Sequence, residues 1–261
     1  MLGAVIGDIA GSRFEFDNCR STDFELIHPD CSFTDDTICT AAVADWVAQG
    51  FGGNLAQILQ DWCRRYPHPK GSYGGMFGRW IGMAEPQPYN SWGNGSAMRV
   101  SAVGWAFGSL DEVLHYAAES AAVTHNHPEG IKGAQAVAAA IFWARCGRDK
   151  AFIRHEIRER FGYASDAGCD AIRAANTFDE SCMKTVPDAL AAFFESENFE
   201  HAVRLAVSLG GDSDTIAAIT GSIAEAYYRD IPAATVRQTL AVLPEDIACV
   251  LQAVKEAAPS V

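Results

Sequence analysis

The sequence predicts an all-α fold in a single compact domain, and three observations carry that prediction. Apolar residues recur at helical spacing in most segments, and alanine-rich runs such as 134–144, 189–194 and 216–228 contain few of the alternations typical of strands. The 261 residues are 49% hydrophobic, which suffices for one sizeable core. Because no repeat or linker divides the chain, we expect one domain over residues 1–261.

The hydrophobic pattern places the helices in order along the chain, with glycine or proline at joints such as Gly50, Gly108 and Pro187. The stretch 66–95 is rich in Gly, Pro, Tyr and Trp and is predicted to be a binding loop. Helices are predicted over about 2–11, 36–49, 54–65, 97–107, 111–123, 130–146, 150–161, 166–175, 187–195, 199–208, 214–228, 233–241 and 244–257.

The first of these helices has an unusual glycine pattern. Gly3, Gly7 and Gly11 are spaced by four, so on a helix they form one stripe without side chains. Another helix can approach closely along such a stripe. The N-terminal helix is therefore predicted to lie in the core.

Charge and composition exclude several classes of partner. There are 20 Lys and Arg against 33 Asp and Glu, a formal net charge of −13, which repels nucleic-acid backbones and anionic membranes. The first ten residues lack a basic cluster and no run of about 18 apolar residues follows, so we expect a cytoplasmic protein. The eight cysteines are scattered singly without a C-x-x-C pair, which is typical of reduced, structural thiols.

Two acidic clusters stand where a loop enters a predicted helix: residues 34–37, T-D-D-T, and residues 212–215, D-S-D-T. Taken singly, each is typical of a helix N-cap, for which one side-chain oxygen suffices. The surplus carboxylates would repel one another unless a cation joined them, and Mg²⁺ and Mn²⁺ take such oxygen ligands. The pattern favours a binuclear metal site, provided that the two clusters meet in space.

A third carboxylate, Glu15, lies where the first helix ends and a polar loop begins. By itself it is typical of an exposed loop acid.

Together these elements resemble the ADP-ribosylglycohydrolase family, with GD-x-x-G-x-x-x-E over residues 7–15, T-D-D over 34–36 and G-G-D-x-D-T over 210–215. The family's ligand loops are matched by G-S-Y-G-G at 71–75, S-W-G-N-G-S-A-M-R at 91–99 and T-H at 124–125. Six motifs in the same order make the resemblance specific.

The resemblance implies a metal-dependent hydrolase that removes ADP-ribose from a protein side chain or small molecule, by cleaving the bond at the anomeric carbon of the distal ribose. It makes Glu15 the catalytic carboxylate. Two Mg²⁺ or Mn²⁺ ions are assigned to Thr34, Asp35, Asp36, Asp212, Asp214 and Thr215. The ligand is assigned to Gly74, Gly75, Ser91, Trp92, Gly93, Asn94, Gly95 and His125.

Several alternatives stay open at this stage. Trp92 suits either a rim position or stacking on adenine. A divalent ion can activate water for attack on the sugar, and Glu15 could orient the ribose or move a proton. A catalytically silent ADP-ribose-binding relative is disfavoured by the intact acidic positions. A two-metal phosphoesterase is disfavoured by the lack of a histidine-rich metal set.

The acceptor is not fixed by the sequence, and arginine, serine, a nucleic-acid base and a small molecule are all compatible with the resemblance. The segment 16–33, between Glu15 and the first acidic cluster, is predicted to face the acceptor. Its expected wall residues are Phe14, Phe16, Asp17 and Phe24. Acids in this segment, including Asp23, would favour a guanidinium.

Overall fold

The computed structural model describes residues 1–163 and 167–259, and the regular secondary structure in these residues is helical. The all-α prediction is confirmed. The helices are Leu2–Gly11 (α1), Asp35–Ala48 (α2), Leu55–Arg65 (α3), Gly75–Ile81 (α4), Gly95–Met98 (α5), Ser101–Ala106 (α6), Leu110–Ala122 (α7), Pro128–Arg145 (α8), Lys150–Phe161 (α9), Cys169–Ala175 (α10), Cys182–Glu195 (α11), Phe199–Ser208 (α12), Ser213–Tyr228 (α13), Ala233–Val242 (α14) and Glu245–Ala257 (α15).

Most helix boundaries agree with the sequence pattern because local capping residues set them. Asn54 and Ser109 accept backbone N–H groups of the first turns of α3 and α7. Gly162 ends α9 at a φ of 66°, in the left-handed region that glycine favours. None of the helices in the described part of the chain combines the length and apolar character needed to cross a bilayer.

Four predicted elements were wrong in detail. The stretch 66–95 contains α4, a helix that forms despite two glycines because Phe77 and Trp80 are buried and stacked with ring centroids 5.4 Å apart. The helix predicted at 97–107 is divided into α5 and α6. α11 begins five residues before Pro187, since burial of Cys182 and Val186 outweighs the one helical hydrogen bond that a proline removes. The helix predicted at 166–175 begins at Cys169, and residue 166 lies outside the described residues.

The centre of the fold is a close antiparallel contact between α1 and α13. A Cβ atom added to Gly3 would overlap the carbonyl oxygen of Gly221, and one added to Gly7 would overlap that of Ala217. At the end of the stripe, a Cβ on Gly11 would overlap the backbone of Asp214. The predicted glycine stripe is therefore a backbone-to-backbone interface, and it brings the C-terminus of α1 beside the N-terminus of α13.

Asp8 of α1 attaches a third helix to this pair. Its buried carboxylate accepts the backbone N–H groups of Thr34 at 3.0 Å and of Thr37 at 3.1 Å, and it also accepts both threonine hydroxyls. These four bonds hold the first turn of α2 against α1. Three helix ends therefore meet at one place, and two of them carry the acidic clusters.

Replacing Gly7 by alanine tests the contact. Helix propensity alone favours alanine by roughly 0.5–1 kcal/mol. The overlap with the Ala217 backbone should outweigh that gain, because a packed helix backbone cannot move aside as a flexible side chain does, and overpacking costs about 1–3 kcal/mol or more. We expect Gly7→Ala to lower the free energy of unfolding by about 2 kcal/mol in urea denaturation.

Gly108→Ala is the matched control, since a Cβ added there meets no heavy atom within 4 Å. It should leave the free energy of unfolding within about 0.5 kcal/mol of the wild-type value. Equal stabilities for Gly7→Ala and Gly108→Ala would contradict the described α1–α13 packing.

Candidate metal and ligand site

The meeting point of α1, α2 and α13 opens into a cavity of about 310 Å³, within the size range of small-molecule sites of roughly 300–1,000 Å³. Its walls come from both acidic clusters and from the three glycine- and histidine-containing segments singled out in the sequence. The lining residues that the sequence predicted as site residues are Glu15, Asp35, Asp36, Gly74, Gly75, Ser91, Gly93, Asn94, Gly95, His125, Asp212, Asp214 and Thr215.

The structure brings the two acidic clusters together. Carboxylate oxygens of Glu15, Asp212 and Asp214 lie within 4.8 Å of one another, and the Thr215 hydroxyl donates to Asp36 Oδ1 at 3.2 Å. The second oxygen of Asp36, Oδ2, is buried without a hydrogen-bond partner among the described residues. Glu15, to which the resemblance assigned a catalytic role and no metal, thus shares a group of oxygen donors with Asp212 and Asp214.

Burial and mutual repulsion raise the pKa values of these acids. Burial, followed by the charges of neighbouring carboxylates, holds the pKa values of Asp35, Asp36 and Asp214 well above their ordinary range. Burial and the charges of Asp212 and Asp8 raise the pKa of Glu15 to about 7. An all-oxygen donor set of this kind fits a hard divalent cation such as Mg²⁺ or Mn²⁺, which would offset the repulsion.

Two predicted residues act on the carboxylates of the acidic clusters. Asn94 donates through Nδ2 to Asp212 at 2.7 Å and to Thr185 Oγ1 at 3.0 Å, so both amide protons are committed. Thr34 is absent from the cavity lining described above; its hydroxyl donates to Asp8 and accepts the N–H of Asp36 as the N-cap of α2. Asn94 therefore orients Asp212, and Thr34 orients the first turn that carries Asp35 and Asp36.

Trp92 also lies outside the cavity lining. Its side chain is 51% exposed and packs edge-on against His127, with ring centroids 5.5 Å apart. His127 itself is the N-cap of α8, where its Nδ1 accepts the N–H of Glu129. Stacking of Trp92 on adenine stays a prediction.

The acceptor-side expectations need correction. Phe16 lines the cavity as expected, and its ring stacks on Phe178 at 6.0 Å. Phe14 and Phe24 do not line it, because they pack on each other edge to face at 5.3 Å. Asp17 is exposed outside the lining as well.

Sequence reasoning missed several residues of the site. Asp8 belongs to the GD-x-x-G-x-x-x-E motif. A carboxylate on a buried, glycine-rich helix indicates that buried hydrogen-bond donors must surround it. Tyr89, Phe178 and Glu180 belong to no motif, and their place in the cavity follows from packing alone. Arg99 ends the S-W-G-N-G-S-A-M-R motif and proves to be a buried guanidinium in the cavity wall.

Comparison with known proteins identifies the family and the fold. The family model described as ADP-ribosylglycohydrolase matches residues 1–258. The chain belongs to the ADP-ribosylglycohydrolase family. Its fold is shared with a solved structure described as an ADP-ribosylglycohydrolase-related protein complex, at a TM-score of 0.74 and 24% identity, over 99% of this chain and 96% of the other.

Two proteins to which this chain is similar carry names that state an activity. "ADP-ribosylhydrolase ARH3" of Xenopus tropicalis is 24% identical, over 87% of this chain and 85% of its own length. "ADP-ribosylarginine hydrolase Tri1" of Pseudomonas putida is 28% identical, over 87% of this chain and 69% of its own length.

The raised pKa values predict a pH-dependent stability in the absence of divalent cations. Glu15, with a pKa of about 7 against an ordinary 4.5, and Asp8, with about 6 against 3.8, bind protons more tightly in the folded than in the unfolded state. The stability that they contribute is lost as the pH rises through the folded-state values. In EDTA, we expect the melting temperature to be lower at pH 8 than at pH 6, and excess Mg²⁺ to raise it most at pH 8.

Asp36→Asn removes one buried charge from the cluster and should reduce this pH dependence and the stabilisation by Mg²⁺. Asp23→Asn, in the exposed segment before α2, makes the same change in net charge outside the cluster and should leave both at wild-type values. Differential scanning calorimetry of the three proteins measures both quantities. If Asp36→Asn keeps the wild-type pH dependence of stability and the wild-type stabilisation by Mg²⁺, the acidic cluster is not the source of either effect.

Proposed function

We propose that this protein is a divalent-metal-dependent hydrolase that releases ADP-ribose from a modified acceptor. The observation that carries the proposal is that one cavity of a chain in the ADP-ribosylglycohydrolase family is lined by both the acidic cluster and the glycine-rich ligand loops. The names of the relatives ARH3 and Tri1 support the same reaction.

Asp35, Asp36, Asp212, Asp214 and Thr215 would hold two ions, Mg²⁺ or Mn²⁺, and Thr34 would support them through the cap of α2. The orphaned Oδ2 of Asp36 and the mutual repulsion of the acids support this assignment. When bound, the ions supply positive charge that neutralises the carboxylates and acts as a Lewis acid near the ribose.

Different loops would contact different parts of the ligand. Gly74 and Gly75 leave the backbone uncovered, since an added Cβ meets nothing within 4 Å at either position, which suits close approach of a diphosphate to backbone N–H groups. Ser91, Gly93, Gly95 and His125 line the same cavity and would contact the adenosine end of the ligand.

Glu15 is the proposed proton-handling or ribose-orienting acid. Its carboxyl lines the cavity and lies within 4.8 Å of the Asp212 and Asp214 oxygens. A pKa of about 7 leaves both protonation states populated at neutral pH, as a group that gives or takes a proton requires. Cations on the neighbouring carboxylates would lower this pKa in part.

The acceptor would enter between Glu15 and the exposed pair Phe16 and Phe178. These rings are 74% and 48% exposed and stack on each other at 28°, so they form an exposed aromatic pair in the cavity lining. Glu180 lies in the same wall with its side chain exposed, and its pKa is raised by partial burial and by the charges of Asp212 and Asp179. An aromatic platform beside a carboxylate suits a planar cation, so we propose a guanidinium acceptor, as in the name of Tri1.

Two variants separate the proposed roles in catalysis. Asp214→Ala removes a metal ligand, so metal affinity, ADP-ribose binding and turnover should fall together. Glu15→Gln keeps the size of the side chain, so ADP-ribose binding should largely survive while turnover falls by about 10² or more. Calorimetric titration with Mg²⁺ and ADP-ribose, followed by single-turnover assays with and without EDTA, measures each effect.

Wild-type turnover in Glu15→Gln, or full activity after EDTA treatment and desalting, would contradict the proposal. Assays on a simple phosphodiester test the phosphoesterase alternative. Tight ADP-ribose binding without release from any ADP-ribosylated substrate would identify a silent relative instead.

The acceptor proposal has its own test. Phe178→Ala should raise KM for an ADP-ribosylarginine peptide by about 5-fold, the effect of losing a cation–π contact, with ADP-ribose affinity and KM for an ADP-ribosylserine peptide unchanged. Met183→Ala removes a similarly exposed apolar side chain outside the cavity lining and is the control. Equal effects of Phe178→Ala on both peptides would exclude a guanidinium platform.

A further inference from the structure

A hydrogen-bonded chain of three buried side chains lies in the wall of the ligand cavity. Arg99, 1% exposed, donates through Nη2 to the carbonyl oxygen of Ser120 at 3.0 Å and to Thr124 Oγ1 at 2.8 Å. Thr124 Oγ1 lies 2.7 Å from His125 Nδ1. The chain therefore runs from a fixed cation, through one hydroxyl, to a histidine of the cavity wall.

Counting protons along this chain fixes their positions. A guanidinium has only donors, so Thr124 Oγ1 must accept from Arg99. The hydroxyl proton of Thr124 then needs an acceptor of its own, and among the described residues His125 Nδ1 is the one within hydrogen-bond distance. Nδ1 must be unprotonated to accept it, so the proton of a neutral imidazole lies on Nε2.

The other ring nitrogen faces the cavity. His125 is 5% exposed, and over residues 1–163 and 167–259 its Nε2 has no hydrogen-bond partner. Cβ atoms added to Gly93 and Gly95 would lie 3.4 and 3.2 Å from this nitrogen, so the two glycines leave the space beside it open. An Nε2–H group at the cavity surface can therefore donate to an acceptor oxygen of a bound ligand.

The geometry points to Thr124 and Arg99 as positioning residues, which lock His125 as a neutral imidazole that presents Nε2–H to an acceptor oxygen of the ligand. Burial and the nearby charge of Arg99 also hold the pKa of His125 well below its ordinary range, which keeps the ring neutral. Neither Thr124 nor Arg99 needs to touch the ligand for this role. The identity of the ligand rests on the function proposed above, whereas the tautomer does not.

Nitrogen-15 NMR of the histidine rings in the whole protein tests the tautomer directly. The signals of His125 are identified by their loss in His125→Gln. We expect Nδ1 to resonate as an unprotonated and Nε2 as a protonated imidazole nitrogen, in the absence of ligand and at pH 6 as at pH 8. A protonated Nδ1, in either the other tautomer or an imidazolium, would overturn the inference even if ADP-ribose binds.

Variants of Thr124 test the positioning role. Thr124→Val keeps the shape of the side chain but removes the hydroxyl, so the Nε2–H tautomer should lose its preference and ADP-ribose affinity should fall about 5- to 10-fold, the effect of losing one hydrogen bond. Thr124→Ser restores the hydroxyl and should restore both the NMR signature and the affinity. Wild-type affinity and an unchanged tautomer in Thr124→Val would refute the role of Thr124.

The two proposals fail in different ways. If wild-type protein does not bind ADP-ribose in calorimetry, the proposed function fails while the tautomer can still be read from the spectrum. If ADP-ribose binds and His125 carries its proton on Nδ1, the positioning inference fails and the function stands.

Discussion

The close contact of α1 with α13 is the constraint on which the rest of the site depends. Gly3, Gly7 and Gly11 let the backbone of α1 touch that of α13, where side chains would force the helices apart. Since the helices are antiparallel, the polar end of α1 is fixed beside Asp214. The position of Glu15, four residues beyond Gly11, follows from that contact.

This arrangement gathers buried carboxylates at a free-energy cost, and the fold offsets part of it locally. Asp35 and Asp36 lie in the first turn of α2 and Asp214 in that of α13, where the positive ends of the helix dipoles stabilise negative charge. Neutral hydrogen-bond donors offset a further part of the cost: Asn94 donates to Asp212, and Thr215 donates to Asp36. Burial, and after it the charges of neighbouring carboxylates, still raises the pKa values of Asp35 and Asp214, so this compensation is incomplete.

The cavity lining carries both signs of charge. It combines the carboxylates of the acidic clusters with the His125 ring and the buried guanidinium of Arg99. The charge of Arg99 is stabilised by the carbonyl oxygen of Ser120 in α7 and by the hydroxyl oxygen of Thr124 in the turn after α7.

The sequence by itself determined the helical class, the glycine stripe of α1 and both acidic clusters, because each is a local pattern of periodicity or composition. It also carried the ordered motifs that resemble the family. Only the tertiary structure decided which groups those residues meet: Thr34 binds Asp8, Asn94 binds Asp212, and Glu15 joins the oxygens of Asp212 and Asp214. The physical reason is that these partners are up to about two hundred residues apart in the chain, so no local pattern relates them. Packing likewise gave α4 its place in a stretch whose glycines and prolines predicted a loop, because burial of Phe77 and Trp80 outweighs weak local propensity.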